Sequence, residues 1–358
     1  MLFTYDATAN VNNWLHDRIY FSILEAVNSL DAGNAPVLWP EILTDPEKVL
    51  LSNRTAVKKR YNKFIVELRK LDAVQRSRVR NAVVTSNDIP GILLASNPCE
   101  KIETLPEVFR TAVSNLFETL FNLLNDLEIR AEQYKIIYEK IDVDVCPFCG
   151  LEMLPKPGGP KHDWDHYMPK SFYPFAGANL KNLVPMGVFC NQRIKGSKDI
   201  LFDGAGARRL CFDPFGFEVA GVHIDGVELH EYEGIDEISW LVSCISNDPA
   251  YANTWNQIWH VSDQYAGVIK KRFKTSWLTQ FVKLSCRQGP PSTREEVLLA
   301  LEYMIDYCEA EQHSGAAFLK KAVFEWIKGQ VELEQTEADR YSDLLIRTCH
   351  DYSTQTLD

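Results

Sequence analysis

The chain reads as mainly α with a small α+β insertion, in which helical N- and C-terminal regions flank a compact, cysteine-bearing module. Three observations predict this. Long stretches on both sides carry apolar residues near helical spacing. Between them, Cys146-Pro147-Phe148-Cys149-Gly150 opens a segment of short apolar runs broken by Pro and Gly. The chain has 358 residues, 46% hydrophobic and 24% charged, so it is long enough for two or three domains and too apolar to be disordered. These shifts divide it at 1–143, 144–213 and 214–358.

The first region reads as helices. "NVNNWLHDRIYFSILEAVNSL" places Trp14, Ile19, Phe21, Ile23 and Leu24 near one face. "SNRTAVKKRYNKFIVELRKL" opens on a Ser/Asn cap signal and carries Tyr61, Phe64, Ile65 and Leu68. A third pattern starts at Pro106, a good first-turn proline, and runs unbroken through "FRTAVSNLFETLFNLLNDLEIRAEQYKIIYEKI". The aromatic residues in these stretches read as core packing.

The module from 144 to 213 holds the chemistry. Pro155, Pro157, Gly158, Gly159 and Pro160 form an exposed loop between the cysteine knuckle and the next segment. "HDWDHYMPKSFYP" supplies a first strand and a loop, and "NQRIKGSKDILF" a helix. Asp165-His166 is followed by Asn182, by Cys190-Asn191 and by Lys195. A histidine with an acid beside it suits metal-assisted cutting of a phosphodiester. That reaction needs a base to activate water and a cation to hold the charge building on phosphorus. Histidine is the natural base, because its ordinary pKa of about 6.5 lies near working pH. A hard divalent cation prefers oxygen ligands, which Asp165 and the amide of Asn191 offer. On an extended strand Asp165 and His166 point to opposite faces, so the strand must bend or end there, and Pro169 favours an ending.

This stretch resembles the HNH, or ββα-metal, endonucleases. The resemblance covers less than a fifth of the chain, from about Cys146 to about Asp213, through "CPFCG", "DWDHYMPKSFYP" and "NLKNLVPMGVFCNQRIKGSKD". It implies two strands and a helix around one Mg²⁺ or Mn²⁺. His166 would be the general base and Asp165 and Asn191 the ligands of that ion. Asn182 would be the middle asparagine that holds the loop and orients the base, and Lys195 a phosphate contact. Lys170, Arg193 and Lys198 are further candidates for touching nucleic acid. Many zinc-bearing members have a second CxxC, but here its first position is Gly187. Cys146, Cys149 and Cys190 thus make three ligands for a structural Zn²⁺ that wants four. Cys211, within "RRLCFDPFG", or His162 would be the fourth, with Cys211 preferred. The bland alternative is a reduced cysteine cluster holding nothing.

The last region starts with strand-like text, "FEVAGVHIDGVELHEY", with turn signals at Gly221, Asp225 and Gly226. His223 and His230 read there as surface histidines. Residues from about 248 to 335 read helical again, and Ser292 or Thr293 caps "TREEVLLALEYMIDYC". The tail "TQTLD" is expected to fray.

Net charge is −11, which argues against general sticking to nucleic acid. The sum conceals two basic stretches. Between Arg54 and Arg80 ten Lys/Arg stand against Glu67 and Asp72, a net of +8, and Cys146–Arg209 carries a net of +4. The alternative for the first run is a solvated helix face. No 18-residue apolar run suggests a membrane span, and the N-terminus lacks the features of a secretory signal. Nine cysteines, an odd number, fit a reducing cytosol better than a disulfide framework. Cys244, Cys286 and Cys308 read as core residues.

The expected function is therefore metal-dependent DNA cleavage by a regulated effector. The text "DHYMPKS", "NLVPMGVFCN" and "FDPFG" is similar to that of HNH subunits in anti-phage systems such as the Septu type. That similarity implies an antiviral role beside a separate ATPase or sensor subunit, with homo-oligomerisation left open. The competing class is a non-catalytic zinc-knuckle protein that binds nucleic acid or a partner and carries a relict nuclease module.

Overall fold

The computed structural model describes residues 2–159, 164–225, 239–287, 289–311, 315–333 and 338–355. Among the described residues the chain is mainly helical, with two small two-stranded sheets. It divides into two compact units. The first comprises residues 3–148 and 154–219, and the second comprises Cys149–Met153 and 220–358. No helix among the described residues is long and apolar enough to cross a membrane.

The first unit begins with helices α1 (Trp14–Asp31), α2 (Asp45–Leu51), α3 (Thr55–Leu68), α4 (Ala73–Asn87) and α5 (Ile89–Leu93), followed by α6 (Glu107–Asp126) and α7 (Ile129–Lys140). Capping decides where several begin. Thr44 with Glu47, and Asp72 with Gln75, form reciprocal capping boxes at α2 and α4. The apolar spacing predicts the buried faces. Leu15, Ile19 and Ile23 of α1, Tyr61, Phe64, Ile65 and Leu68 of α3, and Phe109, Val113, Leu116 and Leu120 of α6 share one core. Burying such side chains contributes roughly 1.5–3 kcal/mol each. Phe21, read as part of that face, instead points outward at 57% exposure.

The long apolar pattern after Pro106 is not one helix. It breaks at Leu127 and Glu128, where Glu128 takes a left-handed φ of +58°, and α7 starts afresh. Hydrophobic period alone cannot detect such a break, because the apolar face resumes in nearly the same phase.

Two short antiparallel strands follow, β1 (Trp164–His166) and β2 (Leu183–Pro185), with His166 opposite Leu183 and Asp165 opposite Val184. The strand ends at His166, as Pro169 predicts. The helix expected over 191–202 is much shorter. A π-helical segment spans Phe189–Lys195 and stops where Gly196 adopts φ +52°. Gly196 N–H donates to the Asn191 carbonyl at 2.7 Å, which closes the wide turn.

In the second unit β3 (Ala220–Asp225) pairs antiparallel with β4 (Leu241–Ser246). Helices α8 (Pro249–Trp259), α9 (Val261–Arg272), α10 (Leu278–Ser285), α11 (Arg294–Ala310), α12 (Ala317–Glu332) and α13 (Ala338–Gln355) follow. Thr293 is the cap of α11, in a capping box with Glu296. The pattern over 251–284 again breaks at a left-handed residue, His260. Cys308 is buried, whereas Cys244 and Cys286 are only half-buried. His223 is exposed. Pro160, His162, Gly226, His230 and the last three residues lie outside the described residues.

Candidate functional site

The site grows out of how the chain leaves β1. His166 is its last residue and is 8% exposed. Its Nε2 lies 2.9 Å from the carbonyl of Gly177. A carbonyl can only accept, so Nε2 carries the hydrogen and Nδ1 keeps its lone pair. Burial holds the imidazole down to about 4, and the nearby charges of Lys170, Lys195 and Arg130 push the same way against the Gly177 carbonyl. The ring is therefore neutral at working pH, with a defined tautomer and an acceptor nitrogen.

Asn182 makes that orientation possible. It is completely buried. Its Oδ1 accepts from Met168 N–H at 2.8 Å, and its Nδ2 donates to the carbonyls of Met168 and Ala176 at 3.1 and 3.3 Å. Its own carbonyl accepts from Tyr167 N–H at 2.9 Å. One side chain thus ties together both ends of the loop that leaves His166 and returns with Gly177. Helices α1 and α7 brace this from outside. Asn13 Oδ1 accepts from Leu180 N–H, and Gln133 Nε2 donates to the Leu180 and Leu183 carbonyls.

Lys195 corrects the expectation of a phosphate contact. It is 1% exposed, and its Nζ donates to the His166 carbonyl at 2.8 Å. The ammonium braces the strand end instead of facing solvent. This bond also docks the π-helical segment against β1. Asn191 is four residues earlier, on nearly the same face as Lys195, and is half-buried. Asp165 pairs through its main chain with Val184, while its carboxylate lies outside the described residues. Arg193 and Lys198 are exposed, and Lys170 is half-buried and paired with Glu118 at 2.8 Å.

Two side chains from the preceding helices join the site without any signal in the motif text. The Phe121 ring of α6 sits 4.5 Å from the His166 ring, and the Arg130 guanidinium of α7 lies 4.3 Å over Phe121. Lys170 also approaches that ring, at 5.6 Å. Only tertiary packing brings these residues, more than thirty positions upstream, to the imidazole. A cleft of about 180 Å³ opens beside Gly177, lined by Ser114, Glu118, Lys170 and Ser171 among others.

The thiols of Cys146, Cys149 and Cys190 are buried and lie within 4.8 Å of one another. None is in a disulfide. Gly150 takes φ +62° directly after the knuckle, and Leu151 N–H donates to Cys149 Sγ at 3.4 Å. Tetrahedral coordination with metal–sulfur bonds of about 2.3 Å sets sulfurs roughly 3.8 Å apart, so this triad could hold a metal ion. Cys211 does not belong to the group. Its Sγ donates to the Ile200 carbonyl at 3.1 Å, and burial pushes its thiol up to about 12. Its neighbourhood suits a neutral thiol and not a ligand. His162 and its neighbours lie outside the described residues, so the triad closes on three ligands among those described.

No family model, no curated protein and no solved structure matches the chain.

Proposed function

We propose that this protein is a metal-dependent endonuclease of the HNH type that hydrolyses phosphodiester bonds in DNA. The observation that carries the reading is the held imidazole: His166 ends a strand, with Nε2–H spent on the Gly177 carbonyl and Nδ1 left as a base. In this mechanism Nδ1 takes a proton from water as the water oxygen attacks phosphorus. The ester bond to the leaving oxygen breaks, and that oxygen takes a proton from solvent. Asn182 keeps the loop, and hence the ring, in place. Lys195 fixes the strand end. Arg130 and Lys170 supply positive potential for an anionic substrate. A divalent cation held by Asp165 and Asn191 would neutralise the charge that develops on the leaving oxygen.

The thiol triad is proposed to bind structural zinc. Nine cysteines, none of them in a disulfide, support a reducing compartment. The family resemblance adds a regulated role beside an ATPase or sensor subunit, which is also a proposal.

A second reading has one observation in its favour. His166 is almost buried, and a buried, bonded histidine also occurs as plain structure. Incubation of supercoiled plasmid with purified protein separates the two readings. Nicking or linearisation with Mg²⁺ or Mn²⁺, abolished by a chelator, is expected of the nuclease. Intact plasmid under all conditions favours the binding module.

A further inference from the structure

Charge on the first unit is concentrated on one helix. Lys58, Lys59, Arg60, Lys63, Arg69 and Lys70 lie on or just after α3 with Glu67 as their only acid, a net of +5 in a protein of net −11. All six are exposed. The basic run continues into α4, but there much of the charge is neutralised: Arg76 and Arg80 both pair with Asp31, at 2.6 and 3.0 Å. Arg54 pairs with Asp126. On α3 only Lys63 and Lys70 are engaged, and they share the single carboxylate of Glu67. Lys58, Lys59, Arg60 and Arg69 have no acidic partner among the described residues.

The placement of α3 gives this charge a direction. α3 runs antiparallel to α6: Arg54 reaches Asp126 at one end, and Phe64 meets Phe109 at the other, 5.4 Å away. α6 in turn lays Phe121 on His166. Between the basic face and the imidazole lies the outward ridge of α6, which includes Thr111, Ser114, Glu118 and Asn122. That ridge is nearly neutral, because Glu118 is paired with Lys170. A groove of about 470 Å³ between the two helices adds one acid, Glu107, beside Arg60 and Lys63. The basic face thus stands about one helix diameter, roughly 10–12 Å, from the site side of α6. That offset compares with the roughly 12 Å width of the DNA major groove. Lys58 to Lys70 spans about 18 Å at about 1.5 Å per residue, the length of about five base pairs at about 3.4 Å each.

We propose that the exposed face of α3 is a docking surface for the phosphate backbone of double-stranded DNA. It holds the duplex across α6 so that one strand reaches His166, an assignment that rests on the nuclease reading. Charge complementarity selects the occupant: a duplex carries one charge per about 1.7 Å of axis, and this face concentrates a net of +5 on one helix in a chain of net −11.

The test is binding of a short fluorescent duplex by full-length His166→Ala protein in Mg²⁺, across a salt series. Lys59 and Arg60 are both exposed and have no acidic partner among the described residues, so substituting them breaks no ion pair there. K59E/R60E is expected to weaken binding about tenfold or more and to lower the slope of log affinity against log salt by about 2, near 0.9 per lost phosphate contact. K59A/R60A lowers the slope without adding repulsion, which guards against misfolding of the first variant. The control K270E/K283E, on α9 and α10, is expected to change neither reading. Equal affinity and slope for K59E/R60E and the control overturn the proposal, as does a parent protein that binds no duplex. Binding to phosphatidylserine vesicles that exceeds binding to the duplex, and is lost in K59E/R60E, assigns the face to a membrane and also overturns it. The two readings fail separately. Slope-dependent binding by a protein that never cuts leaves the surface and removes the nuclease, whereas unchanged binding by K59E/R60E with intact cutting does the reverse.

Discussion

A neutral imidazole, the Nε2–H tautomer and a single carbonyl acceptor define what His166 can do, and Asn182 holds the loop that carries that acceptor. Replacing Asn182 by alanine takes the partner from the buried Met168 N–H and from the Met168 carbonyl, whereas the Ala176 carbonyl keeps Asn179 N–H at 3.1 Å. At about 1–3 kcal/mol per buried group left unsatisfied, partial relaxation brings the expected loss to about 3 kcal/mol. Denaturant unfolding of Asn182→Ala measures it, and a loss below about 1 kcal/mol contradicts the bracing role, since that is within an ordinary hydrogen-bond deletion. Asn182→Asp is expected to be at least as damaging, because its second oxygen would face the Met168 and Ala176 carbonyls and its charge would be buried without a partner. A second residue-scale effect comes from His16 on α1. It is 2% exposed, neither ring nitrogen makes a hydrogen bond of good geometry, and Tyr20 and Phe117 pack around it. Burial lowers its pKa from 6.5 to about 4, with Asn87 pulling weakly the other way. Between those values the unfolded chain binds a proton that the folded chain does not. Stability is therefore complete above pH 6.5 and falls as the pH drops to about 4, by about 3 kcal/mol in all. His16→Leu is expected to flatten the decline of melting temperature across that window, and an unchanged slope contradicts this.

Elements differ in how far they can be read from residues. The helical class, the apolar faces of α1, α3 and α6, the cap at Thr293 and the end of β1 before Pro169 all follow from local rules. Breaks at Glu128 and His260 do not, because a single left-handed residue interrupts a helix without disturbing its apolar period. Gly196 is legible only in part. Glycine in "IKGSK" permits a stop, but it does not say that the preceding turn is a wide π turn or that Lys195 folds back onto His166. The cysteine knuckle belongs to this scale too, since its thiols come from a turn and from the π-helical segment. Spacing alone points to Cys146, Cys149 and Cys190. It cannot reject Cys211, whose distance from the triad is decided by tertiary packing. Purified protein is expected to contain one zinc per chain by atomic absorption. Cys146→Ser should lose it and melt several degrees lower, as loss of a structural ion implies. Equal melting and no zinc in either protein would leave the reduced cluster as the answer.

At the scale of the whole molecule, the candidate site is not contained in the motif text. Asp165, His166, Asn182 and Asn191 are readable as a pattern, yet Phe121, Arg130, Asn13 and Gln133 come from helices that precede it. These helices orient the hairpin, bring Phe121 and Arg130 to the imidazole and, through α3, carry the charge proposed to meet DNA. Net charge has a related lesson: −11 over the chain coexists with +5 on one helix, so the sum says less about a polyanion than its placement does. If the basic face of α3 holds the duplex, cleavage of plasmid is expected to fall steeply with added salt, and cleavage that is constant from low to physiological salt would contradict it.

The most direct measurement places wild-type protein and His166→Ala side by side on supercoiled plasmid in Mg²⁺ or Mn²⁺, after circular dichroism has shown both to be folded. The proposed mechanism predicts nicking or linearisation by the wild type and a loss of at least about a hundredfold in the variant, the lower range for removing a general base. Equal cleavage by the two proteins, or cleavage by neither, would contradict it.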